Sequence, residues 1–163
     1  MAYYRFQRQY AIAATEVQVF GGFIADVLAG DGKEFIEVEI KVSKEDFYGD
    51  FSHKSEKHTA YLDTTLHVEG TLKEKDFLTV PNRFYYGVPK ELAREALGVL
   101  KDTPYGLIYV DPEDPKLSLN GHIKVVKHSA VINRLYPKKL ERRAAARMSS
   151  ELITLYAELL GLS

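Results

Sequence analysis

The chain has 163 residues, of which 45% are hydrophobic and 28% are charged, and its net charge is −1. This length and composition predict a single domain over residues 1–163 with a sizeable core. The absence of cysteine excludes disulfides, thiolate metal sites and cysteine nucleophiles. No apolar run is long enough to predict a membrane span, and residues 1–14 lack the apolar region of a secretory signal. We therefore expect a cytoplasmic protein with no membrane partner.

The first quarter of the chain predicts a short helix at residues 2–14 followed by a three-stranded antiparallel meander. Glycine-rich turns at residues 21–22 and 30–32 separate three extended runs, because glycine accepts the positive φ angles of tight turns. The three predicted strands cover residues 15–20, 23–29 and 34–42.

The third of these runs alternates strictly between apolar and polar residues, as a strand with two different faces does. The apolar positions, which we expect to face the core, are Ile36, Val38, Ile40 and Val42. The opposite face carries Glu37, Glu39 and Lys41, and the last two stand about 7 Å apart along a strand. Asp26 interrupts the apolar run before it, although strand interiors disfavour aspartate.

The rest of the chain alternates between helical and extended patterns. Ser43 is a good N-cap for a helix over residues 44–62, whose polar stripe borders its apolar stripe and so lines a cleft. A loop or small hairpin follows at residues 63–79. The later elements are a strand at 83–88, a helix at 90–101, and strands at 105–110 and 122–127. Together these elements predict an α/β fold, with a mixed sheet that begins with the meander and is flanked by helices.

The C-terminal part, from about residue 134 to residue 163, predicts a basic helical extension. Residues 124–147 contain eight lysines and arginines against one acid, so the neutral total hides a basic region. Such a region favours contact with DNA phosphates, although a solvated helix face has the same pattern. The candidate DNA-binding residues here are Lys138, Lys139, Arg142 and Arg143.

Several segments, taken in this order, resemble the PD-(D/E)XK nuclease superfamily and, within it, the MmcB-like DNA repair branch and its phage-borne relatives. The matching segments are IADVLA (24–29), EVEIKVSKEDFYGD (37–50), KHTAY (57–61), PNRFYYGVP (81–89) and YGLIYV (105–110). The proline that names the superfamily is absent before Asp26, and the stretch 63–79 is long for this branch. The resemblance implies a restriction-endonuclease-like core and a metal-dependent DNA nuclease.

Asp26 and Glu39 are the candidate metal ligands, because carboxylate oxygens suit Mg²⁺ or Mn²⁺. The carbonyl of Ile40 adds a third oxygen. A metal held there would polarise the scissile phosphate and activate water, and Lys41 would position that water or neutralise charge on the phosphate. The alternative is a surface charge cluster on an exposed sheet face.

Two further acids stand near these positions in the sequence. The resemblance makes Glu16 the candidate for an auxiliary acid contributed by the N-terminal element, and an exposed strand glutamate is the alternative. Glu37 does not match the motif, so we expect it to be a solvated acid.

The helical polar stripe carries Lys54, Lys57 and Tyr61, which are candidates to hold the phosphate that flanks the cut. A solvent-facing stripe is the alternative. The histidines at 53 and 58 are five residues apart and miss the spacing of a helical zinc pair. We expect His58 to pack beside Phe51 and Leu62.

The sequence thus predicts a metal-dependent deoxyribonuclease that acts in DNA repair or recombination, with Mg²⁺ or Mn²⁺ as cofactor and DNA as partner. One alternative is a nuclease fold that binds DNA or protein and cuts nothing. Another is an unrelated α/β domain of a phage assembly. Members of the superfamily often act as dimers, so a homodimer is also among the expected partners.

Overall fold

The computed structural model describes residues 10–62, 78–111 and 123–160. Within these residues, six strands form one sheet in the order of the chain. The strands are β1 (Ile12–Gln18), β2 (Ile24–Gly30), β3 (Phe35–Ile40), β4 (Arg83–Pro89), β5 (Gly106–Val110) and β6 (Ile123–Lys127). The α-helices are α1 (Lys44–His53), α2 (Ser55–Leu62), α3 (Ala93–Leu100) and α4 (Lys138–Leu159). The predicted α/β fold with a mixed sheet is confirmed.

The direction of the strands changes at β3. The pairs β1–β2 and β2–β3 are antiparallel, the pairs β3–β4 and β4–β5 are parallel, and β5–β6 is antiparallel again. Parallel neighbours need crossover connections. Helices α1 and α2 belong to the connection from β3 to β4, and α3 to that from β4 to β5. The carboxyl ends of β3, β4 and β5 therefore lie at one edge of the sheet.

The described helices pack against one face of the sheet. Helices α1, α2 and α3 cover a cluster that includes Phe84, Tyr86 and Leu107. Helix α4 covers a neighbouring cluster on the same face, around Leu28 and Phe35. The opposite face buries another set of side chains, which are Tyr10, Ala13, Val27, Ala29, Ile36, Val38, Tyr85 and Ile108. None of the described helices contributes a residue to that last cluster.

Two predicted helices differ from the structure. Strand β1 starts at Ile12, so the predicted helix at 2–14 is wrong over its described part, and residues 1–9 lie outside the description. Ala13 and Ala14 face opposite sides of the sheet, which favours a strand. The predicted helix at 44–62 is divided into α1 and α2 at Lys54, whose φ of −116° and ψ of 34° are not helical. Ser43 caps α1 as predicted, because its Oγ accepts a hydrogen bond from the N–H of Asp46 at 3.1 Å.

The predicted core face of β3 is only half buried. Ile36 and Val38 are buried, but Ile40 is 49% exposed and Val42 is 74% exposed. Both exposed residues line a cavity of about 320 Å³ together with Val110 and Ile123. The alternation of the strand is therefore correct, but its apolar face opens into a cavity at the carboxyl end of β3.

Other predictions fall partly or wholly outside the described residues. The predicted loop at 63–79 is described only for its last two residues. The basic extension forms α4, and residues 161–163 are outside the description. No helix of the described ranges is both long and apolar enough to cross a membrane.

Candidate active site

Asp26 lies where β2 and β3 stop pairing. The paired register runs from Gly30 opposite Phe35 to Val27 opposite Val38 and ends there. One residue further on, Oδ2 of Asp26 accepts a hydrogen bond from the backbone N–H of Ile40 at 2.6 Å. The Asp26 carboxylate thus accepts the hydrogen bond that a backbone carbonyl of β2 would accept if the pairing continued. It therefore lies beside the carboxyl end of β3.

The electrostatics of Asp26 indicate that Glu39 is close. Burial raises the pKa of the half-buried Asp26 carboxyl, the N–H of Ile40 lowers it in part, and the negative charge of Glu39 raises it further. Lys41 and Lys54 act in the opposite direction. The fold therefore brings together the Asp26, Glu39 and Lys41 of the predicted motif, with Ile40 between the last two.

Glu39 is buried and is bonded to two lysines through its two oxygens. Lys57 Nζ lies 2.5 Å from Oε1, and Lys54 Nζ lies 2.7 Å from Oε2. Burial alone would raise the pKa of Glu39, but the ammonium groups of Lys57 and Lys54 outweigh it, so this pKa is lowered. Glu39 is therefore a carboxylate whose charge is already compensated by the protein.

Lys41 is held from the helix layer. Its Nζ lies 2.6 Å from Oδ1 of Asp50 on α1 and 3.5 Å from Oε2 of Glu39. Asp50 also accepts hydrogen bonds from the hydroxyl of Tyr86 at 2.8 Å and from Nε2 of His58 at 3.0 Å. Burial acts against the ionised form of Asp50, but His58, Lys41 and Tyr86 hold its pKa well below the usual range. Lys41 thus reaches the site with its ammonium fixed by the carboxylate of Asp50.

Glu37 differs from the expectation of a solvated acid, because it is fully buried. Its Oε1 lies 2.5 Å from Nζ of Lys57, and its Oε2 accepts a hydrogen bond from the hydroxyl of Tyr61 at 2.8 Å. Burial raises the pKa of Glu37, the charge of Lys57 lowers it in part, and Glu39 raises it further. The polar face of β3 is therefore an interior face of the domain.

Lys57 and Tyr61 also have a different environment from the predicted one. Both side chains are fully buried and bind Glu37 or Glu39, so they do not lie at the surface, where the predicted DNA contact requires them. Lys54 lies at the break between the helices, and its side chain is 24% exposed. Burial lowers the pKa of Lys54, but Glu39 and Asp50 outweigh it and raise the pKa.

The charges in this buried network balance. Three carboxylates, Glu37, Glu39 and Asp50, lie among three lysines, Lys41, Lys54 and Lys57. His58 extends the network, because its Nδ1 lies 2.9 Å from the hydroxyl of Tyr105. The ring of His58 stacks on Phe51, as predicted, with centroids 4.9 Å apart.

Asp50 and His58 were not predicted as site residues. The sequence does contain a pattern that could have identified them. Asp50, Lys54 and His58 follow one another at intervals of four, and this spacing places them on one stripe of a helix.

Glu16 has another partner. It lies opposite Asp26 in the register of β1 and β2, with a φ of 51° that is uncommon for a residue other than glycine. Its carboxylate binds Arg147 of α4, with 2.6 Å between Nη2 and Oε2. The structure therefore directs Glu16 to α4, whereas Asp26 binds the end of β3.

One basic residue of α4, Arg143, contacts the end of β1. Arg143 donates hydrogen bonds to the carbonyls of Gln18 and Val19 at 2.8 and 3.3 Å. Gln18 pairs with Ile24, two residues before Asp26, so Arg143 is anchored at the same end of the sheet as the candidate site. Three more candidate DNA-binding residues on this helix, Lys138, Lys139 and Arg142, are exposed.

Comparisons with known proteins show a likeness of fold. No protein-family model and no curated protein matches this chain. A similar solved structure is the SPO1766 protein of unknown function from Silicibacter pomeroyi, with a TM-score of 0.61 and 19% sequence identity. The match covers 92% of this chain and 82% of that one. At this identity the likeness shows that the two proteins share a fold.

Proposed function

We propose that this protein is a metal-dependent deoxyribonuclease that acts in DNA repair or recombination. The observation that carries the proposal is the convergence of Asp26, Glu39 and Lys41 where β2 and β3 part. Two carboxylates and an ammonium at the end of a buried strand fit phosphodiester hydrolysis better than a surface charge cluster does, because Glu39 and Lys41 are both buried.

The residues present fit a hard divalent cation. Asp26 and Glu39 supply carboxylate oxygens, and the carbonyl of Ile40 is the candidate third ligand. Within the described ranges, no group of three or more histidines, cysteines or acids is arranged so that it could hold a metal ion. Mg²⁺ does not require one, since it is usually held by one or two carboxylates together with waters and substrate phosphates. Burial is the main reason that the pKa of Asp26 is raised, and the negative charge of Glu39 adds to it, so a cation bound here would stabilise both carboxylates.

Mg²⁺ or Mn²⁺ bound there would supply a Lewis acid for the phosphate and acidify a bound water. The protein's own contribution would come mainly from Lys41. Because Asp50 fixes its ammonium 3.5 Å from Glu39, Lys41 is preorganised to stabilise negative charge that develops on the phosphate. Removal of one such donor typically costs about 10²–10³ in rate.

The basic face of α4 would hold the DNA. Lys138, Lys139 and Arg142 are exposed, and Arg143 is anchored at the end of β1 nearest to Asp26. Contacts of this kind bind phosphates without reading sequence, and their affinity falls steeply as salt concentration rises. Replacing Lys138 and Arg142 by glutamine should therefore weaken DNA binding and reduce its salt dependence.

A second candidate function is a DNA- or protein-binding module that has the same fold and no catalysis. The observation that favours it is the state of Glu39, whose two oxygens both accept hydrogen bonds from lysines. A carboxylate compensated in this way has less free capacity to bind a metal. Under this alternative the network stabilises the fold, and DNA binding does not depend on divalent cations.

Cleavage assays would distinguish the two functions. Labelled linear duplex, single-stranded and four-way-junction DNA would be incubated with the protein in Mg²⁺, Mn²⁺ or EDTA. Cleavage that requires the metal and is lost in Glu39→Gln and Lys41→Gln, while both variants keep the wild-type circular dichroism spectrum, supports the nuclease. Salt-sensitive binding without cleavage of any substrate supports the binding module.

A further inference from the structure

The last part of α4, together with Leu160 directly after it, presents a broad apolar face to solvent. Six large side chains are each at least 52% exposed, and they are Leu152, Ile153, Leu155, Tyr156, Leu159 and Leu160. At about 100° per residue, these six positions fall within an arc of roughly 160°. An amphipathic helix in a folded domain normally turns such a face towards a partner.

The preceding part of α4 is anchored to the domain. Leu140 and Ala144 are buried against β1 and β2. The last anchoring contact along this helix is near Glu151, which accepts a hydrogen bond from Oγ1 of Thr15 at 2.9 Å. Nearly all the residues that follow Glu151 on α4 are exposed. The apolar face therefore begins where the helix leaves the edge of the sheet.

We propose that this face pairs with the same face of a second copy of the chain, in an antiparallel two-fold dimer. A two-fold interface must be complementary to itself. Antiparallel pairing centred on position 156 satisfies this condition, because it brings Leu152 opposite Leu160 and Ile153 opposite Leu159. Every pair named here is apolar on both sides.

The area of the face fits a dimer. If each large apolar side chain buries on the order of 100 Å², the six side chains together bury roughly 600 Å² on each protomer. Stable interfaces bury about 800 Å² per partner, so flanking side chains need to contribute only a small part of the total.

The charges near the face disfavour other occupants. Residues 149–160 contain Glu151 and Glu158 and no lysine or arginine. Helices that lie on anionic membranes carry basic residues beside their apolar face, and nucleic-acid-binding faces are basic as well. Pairing with a second copy of this apolar face requires no basic residues.

Sedimentation equilibrium of the full chain tests the proposal. The wild type should have twice the monomer mass at micromolar concentrations, and the double variant Leu152→Glu, Leu159→Glu should have the monomer mass. Thr154→Glu is the matched control, because position 154 lies opposite the centre of the arc, and this variant should remain a dimer. A wild type that is monomeric up to about 100 μM overturns the proposal, as does a double variant that stays dimeric.

Cysteine cross-linking tests the orientation of the two helices, because the natural chain contains no cysteine. Leu152→Cys and Leu160→Cys proteins would be prepared separately and oxidised with copper phenanthroline, alone or after mixing. The antiparallel arrangement predicts strong cross-linking only in the mixture. Strong cross-linking of Leu152→Cys with itself would indicate parallel helices and contradict the proposed arrangement. Both experiments are independent of any nuclease activity.

Discussion

Lys41 and Asp50 form a buried ion pair, with 2.6 Å between Nζ and Oδ1, that joins the end of β3 to α1. Asp50 is contacted by Lys54, His58 and Tyr86 as well, so it connects the strand to both neighbouring helices. The same contact fixes the direction of the Lys41 ammonium towards Glu39. One aspartate therefore serves both the fold and the candidate site.

Replacing Asp50 by alanine should destabilise the protein strongly. Removing one partner of a buried ion pair leaves an uncompensated charge and typically costs about 3–5 kcal/mol. The free energy of unfolding in urea would measure this loss. Asp46→Ala is the matched control, because Asp46 lies 3.7 Å from Lys41 but its side chain is 45% exposed. We expect the control to cost about 0.2–1 kcal/mol. Equal losses in the two variants would contradict a structural role for Asp50.

Stability should decrease in acid because of Asp50 and Glu39. Both carboxyls have a lower pKa in the folded protein than in an unfolded chain. The unfolded chain therefore binds more protons below the usual carboxyl pKa of about 4, and the stabilisation present at neutral pH is lost as pH falls. Glu37 contributes in the opposite direction, since its pKa is raised and its stabilisation is lost as pH rises.

Urea unfolding between pH 6 and pH 3 would measure this dependence. Asp50→Asn should flatten the decrease in the free energy of unfolding, because it removes the group with the most strongly lowered pKa. If the variant and the wild type lost stability with the same slope, the ion pair would not be the source of the acid sensitivity.

The strands and the motif residues Asp26, Glu39 and Lys41 could be predicted from the sequence because they depend on local patterns. Alternation defined β3, and an aspartate inside an apolar strand singled out Asp26. The binding of Asp26 to the N–H of Ile40 follows from the end of pairing between β2 and β3, which no local pattern contains.

The polar face of β3 was harder to predict. Charged residues in alternation with apolar ones usually face solvent, so Glu37 was expected to be solvated. Its burial depends on Lys57 and Tyr61, which are 20 and 24 positions further along the chain. Only the packing of α2 on the sheet creates this pairing. The same packing removes Lys57 and Tyr61 from the surface, where DNA contact was expected.

Lys54→Met should increase the affinity of the site for Mg²⁺, provided that the proposed metal site is correct. In the structure, Nζ of Lys54 lies 2.7 Å from Oε2 of Glu39. This oxygen can bind a metal only after Lys54 has moved away from it. Because Lys54 is partly exposed, its contact is worth on the order of 1 kcal/mol, which corresponds to about fivefold in affinity.

Isothermal titration calorimetry with Mg²⁺ would measure this change. Asp26→Asn in the same background is the control and should abolish the binding. Mg²⁺ affinity that is unchanged by Lys54→Met would show that Lys54 does not compete for Glu39. Binding that survives Asp26→Asn would show that the metal lies elsewhere.

The most direct test of the proposed nuclease is the Mg²⁺-dependent cleavage rate of Asp26→Asn beside that of Glu16→Gln. Asp26 accepts a hydrogen bond from the backbone N–H of Ile40 at the strand end, and no lysine among the described residues forms an ion pair with it, so the substitution should leave the fold intact. Glu16 is an acid opposite Asp26 in the register, but it is bound to Arg147. We expect Asp26→Asn to lose at least about 10²-fold in rate and Glu16→Gln to cleave nearly as fast as the wild type. Cleavage by Asp26→Asn at the wild-type rate would contradict the proposed active site.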